Sequence, residues 1–266
     1  MDLEQRDAIA VEFGKIASEA GAAIMTIRAS DKGATLKSDG TPVSQADIEA
    51  ERLIQAQLAW MLPGMVVIAE ESFTADYDVP VPERFLLVDP LDGTREYLSG
   101  QADFTVNIAL IEAGCPIAGA ICAPAMDLIY LGGSRAFRAE LSTDGIFAPE
   151  SLTAIEARTV PRSGMRAAAS RSHLDPQTEQ FLREQPVSEL RPAGSSLKFC
   201  LIACGEADVY PRFGPTMEWD TAAGHAVLTA AGGCVLALDG SPLRYGKKDI
   251  GFKNNGFVAW GRRPSG

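Results

Sequence analysis

Two short apolar runs of this chain each end in acidic residues, and this feature constrains the fold most. Residues 65–68 are followed by Ala69 and the pair Glu70-Glu71, and residues 85–88 are followed by Asp89-Pro90-Leu91-Asp92-Gly93-Thr94. Short continuous apolar runs bounded by turn signals are typical of buried strands. If the two strands are neighbours in a sheet, Glu70 comes within reach of Asp89. The sequence therefore predicts a cluster of carboxylates at one edge of a buried sheet.

The segment after the second run is stiff and rich in oxygen atoms that can bind a metal ion. Pro90 has a fixed φ and also restricts the backbone of Asp89. The turn can therefore direct the carboxylates of Asp89 and Asp92 and the carbonyl of Leu91 towards one point. Hard divalent cations prefer such ligands, and Mg²⁺ keeps several waters beside one or two carboxylates.

Gly93 and Thr94 follow directly and are predicted to open a helix. The free N–H groups and the positive dipole at a helix N-terminus favour a bound phosphate. A metal site next to a phosphate site is the arrangement that a metal-assisted phosphate hydrolase needs. Turn chemistry alone also accounts for an Asp-Gly pair, and paired acids such as Glu70-Glu71 are common in solvated loops.

Two further acids lie at predicted helix starts. Asp47 is three residues after Ser44, which is the spacing of a capping box, and capping and a catalytic role are compatible because a cap fixes the side chain. Asp220 precedes the small residues of a helix predicted over 221–231, and helix capping by itself explains it. His225 is five residues further on, so we interpret it as a structural histidine and not as a metal ligand.

The rest of the chain intersperses helices and strands, which predicts a layered α/β (α+β) fold in two lobes. A stretch rich in Ser, Thr, Pro and Gly over 141–164 is the candidate boundary. We expect residues 1–162 to carry most metal ligands and the phosphate site. We expect residues 163–266 to carry Asp220 and the residues that select the substrate. Helices are predicted over residues 3–27, from 44 to about 62, 175–185 and 197–204, and further strands over 104–112, 116–123, 165–170, 207–213, 235–238 and 257–260.

Charge and composition limit the partners. The chain has 266 residues and a net charge of -11, which argues against nucleic acid polymers and anionic membrane surfaces. A small anion held through a bound cation or backbone amides is compatible with this charge. The sequence contains no window of about 18 uninterrupted apolar residues, so it predicts no transmembrane helix. The charged residues 1–7 do not resemble a secretory signal. The five cysteines have no metal-finger spacing and are expected to be reduced, buried thiols. We therefore expect a cytoplasmic location, and leave peripheral association with the inner membrane open.

Four separated motifs resemble the signatures of the inositol monophosphatase superfamily, and they occur in the order expected for it. The resemblance implies an α/β/α/β/α sandwich shared with sugar phosphatases. It also implies a lithium-sensitive phosphomonoesterase that uses two or three Mg²⁺ ions. The motifs are Lys37-Ser38-Asp39-Gly40-Thr41-Pro42-Val43-Ser44-Gln45-Ala46-Asp47, Glu70-Glu71-Ser72, Asp89-Pro90-Leu91-Asp92-Gly93-Thr94 and Trp219-Asp220-Thr221-Ala222-Ala223-Gly224.

The resemblance assigns expected roles to the matching acids and their neighbours. Glu70, Asp89 and the Leu91 carbonyl would hold one Mg²⁺, and Asp89, Asp92 and Asp220 would hold a second.

It likewise implies the roles of the groups that act on the phosphate and on water. Gly93 and Thr94 would bind the scissile phosphate, and Thr94 with Asp47 would orient and deprotonate the attacking water. Glu71 would hold a further, weaker cation through water.

The second half has a narrower resemblance to the 3′(2′),5′-bisphosphate nucleotidases of the CysQ type. This subgroup implies hydrolysis of adenosine 3′,5′-bisphosphate, a by-product of sulfate assimilation, to AMP and phosphate. Met217-Glu218 departs from the pattern at a position that we interpret as variable. The similar segments are Ser170-Arg171-Ser172-His173, Gly194-Ser195-Ser196-Leu197-Lys198-Phe199-Cys200 and Asp208-Val209-Tyr210-Pro211-Arg212-Phe213-Gly214-Pro215-Thr216.

A bisphosphate needs a cationic site for its second phosphate. Lys198 and Arg212 are the candidates, because Arg grips phosphate with two parallel hydrogen bonds and this protein is acidic overall. Taken singly, each could equally be a surface charge. Ser195 is expected on the same helix face as Lys198, and His173 would contact the base or ribose.

The expected partner is therefore a small nucleotide bisphosphate, bound by a monomer or homodimer. Two alternatives stay open. One is a broad inositol or sugar monophosphatase of the same superfamily. The other is a nucleotide or metal sensor on the same scaffold, although every acid that the chemistry requires is present in this sequence.

Overall fold

The structure is a computed structural model that describes residues 1–30, 34–36, 42–74, 78–170 and 175–262. The described chain folds into α-helices and β-strands, numbered here in chain order. The helices are α1 (Leu3–Ala29), α2 (Gln45–Met61), α3 (Thr94–Leu98), α4 (Pro176–Glu184), α5 (Leu197–Ala203) and α6 (Glu218–Ala230).

The strands form two large sheets and two short strand pairs. The strands are β1 (Ala34–Leu36), β2 (Pro42–Ser44), β3 (Val67–Ala69), β4 (Arg84–Asp92), β5 (Thr105–Glu112), β6 (Cys115–Ala123), β7 (Leu128–Gly132), β8 (Ala136–Glu140), β9 (Thr153–Ile155), β10 (Met165–Ala169), β11 (Val187–Pro192), β12 (Val209–Arg212), β13 (Thr216–Met217), β14 (Cys234–Ala237), β15 (Lys253–Asn254) and β16 (Phe257–Trp260).

The first sheet has seven strands in the order β3-β4-β5-β6-β7-β8-β9. The strands β3 and β4 are parallel, and every later neighbour in this sheet is antiparallel. The strand β4 carries apolar side chains on both faces because other elements of the fold cover both faces of the sheet. Leu86 and Val88 join the core under α1 and α2, whereas Phe85 and Leu87 join the core on the opposite face.

The second sheet has five strands in the order β11-β10-β12-β16-β14. The helices α5 and α6 lie between the two sheets, and α4 packs on the outer face of the second sheet through Phe181 and Leu182. The layers are therefore α1 with α2, the first sheet, α5 with α6, the second sheet, and α4. This arrangement confirms the predicted α/β/α/β/α fold. The lobe boundary between residues 162 and 163 stays a prediction, although β9 ends one sheet and β10 begins the other.

Three of the differences from the sequence expectations lie in the second half of the chain. The strand β11 was not predicted, because it is an edge strand whose residues are mostly exposed and polar. The helix α6 begins at Glu218 and not at Thr221, so Asp220 is its third residue. The helix α5 begins at Leu197, so the prediction that Ser195 shares a helix face with Lys198 is wrong. Ser195 precedes the helix with a φ of 40°, in the left-handed region.

Candidate active site

The carboxyl ends of β3 and β4 meet at one edge of the first sheet. Ala69 pairs with Val88, so the next residues, Glu70 and Asp89, emerge side by side. The helix α6 brings Asp220 to the same place. Carboxylate oxygens of Glu70, Asp89 and Asp220 lie within 4.8 Å of one another. The neighbouring strands that the sequence predicts do therefore bring Glu70 to Asp89.

A local cap orients Asp220. Its Oδ2 accepts a hydrogen bond of 2.8 Å from the backbone N–H of Met217, the residue before α6. This contact fixes the carboxylate against the helix start, as a capping residue at this position does.

The carboxylates of Glu70, Asp89, Asp92 and Asp220, called the acid cluster here, repel one another strongly. Burial and the charges of Glu70, Asp92 and Asp220 raise the pKa of the Asp89 carboxyl well above its usual range. Burial and the charge of Asp92 likewise raise the pKa of Asp220. A multivalent cation relieves such repulsion, and these oxygen donors are the ligands that hard divalent metals prefer. The donor set therefore fits a divalent metal.

Asp92 is the acid on which the positive charge of Lys198 acts. Burial raises its pKa to about 6, and the charge of Lys198 and a hydrogen bond from the Ser196 backbone limit that rise. The side chain of Asn107 acts in the same direction.

The segment between Asp89 and Thr94 is held by its own hydrogen bonds. Oδ1 of Asp89 accepts from the Leu91 N–H at 3.0 Å, and the Thr94 hydroxyl lies 3.2 Å from the Leu91 carbonyl oxygen. Gly93 has a φ of 93°, which disfavours residues with a Cβ, and Thr94 then begins the short helix α3. The predicted helix opening at Gly93-Thr94 is confirmed.

Asp47 lies behind this segment, 1 % exposed. Its Oδ2 accepts from the N–H and the hydroxyl of Ser44 at 2.8 and 2.6 Å, and its Oδ1 accepts from the Thr94 hydroxyl at 3.1 Å. The predicted capping box is confirmed, and the same carboxylate reaches Thr94. Burial raises the pKa of Asp47, and these hydrogen bonds oppose the rise.

A cavity of about 330 Å³ opens onto the acid cluster. Its wall includes acidic residues, among them Glu70, Asp92 and Asp220, and the cationic residues Lys198, Arg212 and Arg95. The cavity therefore combines a group of acids with a group of cations. The predicted residues Gly93, Thr94 and Ser195 also line it.

Lys198 is buried, so the alternative of a surface charge is wrong for this residue. Its side chain is 5 % exposed and lies 5.2 Å from the ring centre of Tyr210, with Nζ donating to the Ser195 carbonyl at 2.6 Å. Burial lowers its pKa to about 8, and Asp92 opposes that change.

Arg212 enters the same cavity from β12. Its Nη2 donates to the Pro215 carbonyl at 3.4 Å. Its buried Nε has no hydrogen-bond partner among the residues that the structure describes. A buried donor without a partner is costly in a folded protein, so this atom favours a polar ligand at Arg212.

Some predicted residues fall outside the described part of the chain, and Glu71 is not a member of the three-carboxylate group. His173 falls within 171–174, and positions 37–41 of the first motif are also outside the described residues. Glu71 is half-buried and its backbone N–H donates to Oε2 of Glu51 at 2.8 Å. The three-carboxylate group does not include it.

Glu218 supports the site from behind the cavity, and the sequence patterns do not predict this role. Its carboxylate is fully buried and accepts from the N–H groups of Gly246 and Lys247 at 2.7 and 3.0 Å and from Lys247 Nζ at 2.7 Å. Glu218 belongs to the pair that we interpret from the sequence as variable, and its contacts anchor the start of α6, two residues before Asp220. The sequence feature that could have indicated this role is a charged residue directly before Trp219, which is buried.

The sequence predicts that His225 is a structural histidine and that the cysteines are buried thiols, and the structure bears on both predictions. His225 is buried, its Nδ1 lies 3.1 Å from the Tyr245 hydroxyl, and burial lowers its pKa to about 3, as expected of a structural histidine. All five cysteines are free, but only Cys122 and Cys200 are fully buried. No helix within the described residues has the length and apolar character needed to cross a membrane.

Comparisons with known proteins agree with this geometry. A model of the inositol monophosphatase family matches residues 2–261. The chain is 39% identical over 247 residues to 3′(2′),5′-bisphosphate nucleotidase CysQ of Escherichia coli strain K12, covering 91% of this chain and 96% of the relative. It is 38% identical to the CysQ of Buchnera aphidicola over 92% of this chain and 91% of that protein. The crystal structure of CysQ from Bacteroides thetaiotaomicron superposes with a TM-score of 0.81 and 33% identity, covering 97% of this chain and 98% of that one.

Proposed function

The chain belongs to the inositol monophosphatase family, and we propose that it is a metal-dependent 3′(2′),5′-bisphosphate nucleotidase that hydrolyses adenosine 3′,5′-bisphosphate to AMP and phosphate. The observation that carries this proposal is the cavity in which Glu70, Asp92 and Asp220 face Lys198 and Arg212. Such a cavity suits a ligand with two phosphates, one at the acids through a cation and one at the basic pair. The identity with CysQ relatives over most of the chain supports the same substrate.

We propose Mg²⁺, two or three ions, as the metal. Glu70, Asp89 and the Leu91 carbonyl would hold one ion, and Asp89, Asp92 and Asp220 a second. The hard oxygen donors and their mutual repulsion support this choice. Bound divalent ions neutralise phosphate charge and make water a better nucleophile.

Glu71 would hold a third, weaker ion through water. Its half-buried position next to Glu70 supports a peripheral role.

Asp47 and Thr94 would prepare the attacking water, and Gly93 and Thr94 would bind the scissile phosphate. The Thr94 hydroxyl already donates to Asp47, so a water that donates to Thr94 passes its proton towards a buried carboxylate. The water oxygen forms the new bond to phosphorus as the bond to the 3′ oxygen breaks. The leaving 3′ oxygen then takes a proton from solvent.

Lys198 and Arg212 would hold the second phosphate, with Ser195 beside them. The unpaired Nε of Arg212 among the described residues supports this role, since a phosphate oxygen would satisfy it. We keep His173 as a proposed contact to the base or ribose.

A phosphate-release assay with purified protein tests the proposal. The panel contains adenosine 3′,5′-bisphosphate, adenosine 3′-monophosphate, inositol monophosphate and fructose bisphosphate, with and without Mg²⁺ and Li⁺. We expect Mg²⁺-dependent release that is fastest from the adenosine bisphosphate. Equal rates on inositol phosphate would favour the alternative of a broad monophosphatase, and no release from any substrate would favour a sensor.

The substitution Lys198→Met tests the second-phosphate site with little change in side-chain volume. We expect the activity on the adenosine bisphosphate to fall about tenfold or more relative to the activity on the 3′-monophosphate, because a charge-assisted contact is lost. Lys15→Ala removes an exposed lysine of α1 that pairs with Glu12 and is the matched control. Equal losses on the two substrates would contradict the specificity proposal.

We also propose that the protein is a cytoplasmic monomer or homodimer. The five free thiols and the acidic charge support this location. Light scattering on the purified protein and fractionation of cells test the two statements separately.

A further inference from the structure

Three polar side chains lie along one face of the chain that enters and forms β5. Asp103, Thr105 and Asn107 occupy alternate positions, so they point to the same side, and apolar residues separate them. All three are at most 3 % exposed. Buried polar groups need partners, and each of these three side chains has a contact with the turn Gly194–Ser196 that precedes α5. Among the described residues, Nδ2 of Asn107 has no hydrogen-bond partner.

Thr105 is the centre of these contacts. Its hydroxyl lies 3.2 Å from the Ser195 hydroxyl and 2.8 Å from the Ser196 hydroxyl, which in turn donates to Oδ1 of Asn107 at 2.7 Å. Ser196 is 1 % exposed and Thr105 is fully buried. A single buried hydroxyl thus contacts two consecutive residues of the turn.

The turn itself is strained and closely packed. Ser195 adopts a φ of 40°, which residues with a Cβ rarely occupy. The N–H of Gly194 donates to Oδ2 of Asp103 at 3.0 Å, and a Cβ at Gly194 would lie only 2.7 Å from the Asp103 carbonyl oxygen. Such a conformation persists only where neighbouring groups hold it, and the β5 side chains are those groups.

This turn touches both parts of the proposed site. The carbonyl of Ser195 accepts from Nζ of Lys198, the proposed ligand of the second phosphate. The backbone of Ser196 opposes the rise of the pKa of Asp92, a proposed metal ligand, and Thr105 itself pairs with Asp92 across β4 and β5. A shift of the turn therefore moves Lys198 and Ser195 relative to the acids.

We propose that Thr105 is a positioning residue that holds the Gly194–Ser196 turn, and that through this turn it sets the preference of the site for a bisphosphate over a monophosphate. The part of this inference that concerns substrates rests on the proposed function. The part that concerns the turn does not depend on it. Two measurements keep the parts distinct.

The first measurement compares two substrates that share the scissile 3′-phosphate, adenosine 3′,5′-bisphosphate and adenosine 3′-monophosphate. Thr105→Val removes the hydroxyl and keeps the shape of the side chain. We expect kcat/KM on the bisphosphate to fall about tenfold, mainly through KM, and kcat/KM on the monophosphate to change less than about twofold. Thr105→Ser keeps the hydroxyl and should restore the wild-type ratio.

The control variant is Val106→Ala. Val106 is fully buried next to Thr105 but belongs to the core on the opposite face of the sheet. We expect it to lower the melting temperature at least as much as Thr105→Val while the substrate ratio stays unchanged. Equal losses on both substrates in Thr105→Val would mean a merely structural role and would overturn the link to specificity.

The second measurement is hydrogen exchange of the backbone amides of residues 194–198 in the metal-free protein. We expect exchange in Thr105→Val to be about tenfold faster than in the wild type, in Thr105→Ser and in Val106→Ala. Unchanged exchange would overturn the positioning of the turn whatever the substrate. A wild-type protein without preference for the bisphosphate would contradict the proposed function instead, and the exchange result would still decide the role of Thr105.

Discussion

The N-termini of α2 and α6 have the same local design and opposite surroundings. In each helix the third residue is an aspartate, Asp47 or Asp220, whose Oδ2 accepts at 2.8 Å from the backbone N–H of the residue before the helix. Asp47 also accepts from the hydroxyls of Ser44 and Thr94. Asp220 instead lies among carboxylates, with Glu70 and Asp89 within 4.8 Å.

A cap therefore fixes where a carboxylate lies, whereas the neighbouring groups determine whether it can accept a proton or bind a cation. An aspartate surrounded by hydrogen-bond donors, such as Asp47, is held in one position from which it can accept a proton. An aspartate surrounded by acids, such as Asp220, is suited to a cation.

The largest effect is expected for Asp220→Asn. The amide keeps the cap, because its oxygen still accepts from Met217, but it removes one negative charge from the cluster. We expect activity at saturating Mg²⁺ to fall by about three orders of magnitude, the upper range for one electrostatic group at a reaction centre, while the fold survives. Steady-state phosphate release and circular dichroism measure the two outcomes. Near-wild-type turnover would contradict the metal-ligand role.

Asp47→Asn should have a smaller effect on activity. The capping contact again remains, but the side chain no longer accepts a proton by way of Thr94, and a general base contributes about 10²-fold or more. Affinity for Mg²⁺ should stay close to that of the wild type, in contrast to Asp220→Asn. A titration of activity against Mg²⁺ distinguishes them, and a large loss of metal affinity in Asp47→Asn would remove the contrast between the two caps.

Glu218→Gln tests the anchor behind Asp220. Glu218 accepts from two backbone N–H groups and from Lys247, so neutralising it loosens the start of α6 without touching the cavity. Partners that orient a metal ligand are worth about 10-fold in affinity or activity, and we expect a loss of that size that higher Mg²⁺ partly restores. Glu49→Gln on the exposed face of α2 is the control. A loss of activity that added Mg²⁺ does not reduce would indicate an effect on the fold alone.

The smallest effect concerns the stability of the metal-free protein. Because the pKa of Asp92 is raised to about 6, and those of Asp89 and Asp220 are raised as well, the native cluster binds more protons than the unfolded chain above about pH 4. The contribution of the cluster to stability therefore falls as pH rises through this range. Asp220→Asn removes part of the repulsion, so its melting temperature relative to the wild type should increase by about 3 °C from pH 5 to pH 8.

Thermal melts in a chelator at several pH values check this expectation. Asp144→Asn is the control, because Asp144 is exposed and lies outside the three-carboxylate group. A melting-temperature difference for Asp220→Asn that does not vary with pH would contradict the assigned repulsion. Adding Mg²⁺ should reverse the order, since the cation then stabilises the wild type more than the variant.

The layered α/β fold and the segments that carry the acids follow from the order of the residues alone. These features depend on short-range patterns: apolar runs that end in Glu70 and Asp89, the Ser44-to-Asp47 capping spacing, and Gly93 before a helix. Because each pattern is satisfied by contacts within a few residues or by burial of one strand, the linear order of residues is enough to predict it.

How these segments act on one another depends instead on the folded chain. Thr105 and Ser196 are 91 positions apart, Glu218 and Lys247 are 29 apart, and neither pair has a local pattern that marks it. The burial of Lys198 and the different surroundings of Asp47 and Asp220 likewise depend on which elements the fold brings together. Hydrogen bonding and charge repulsion act over a few ångströms in space, whatever the separation along the chain. The sequence could therefore identify the acids of this site, whereas the contacts that position them became visible only in the folded chain.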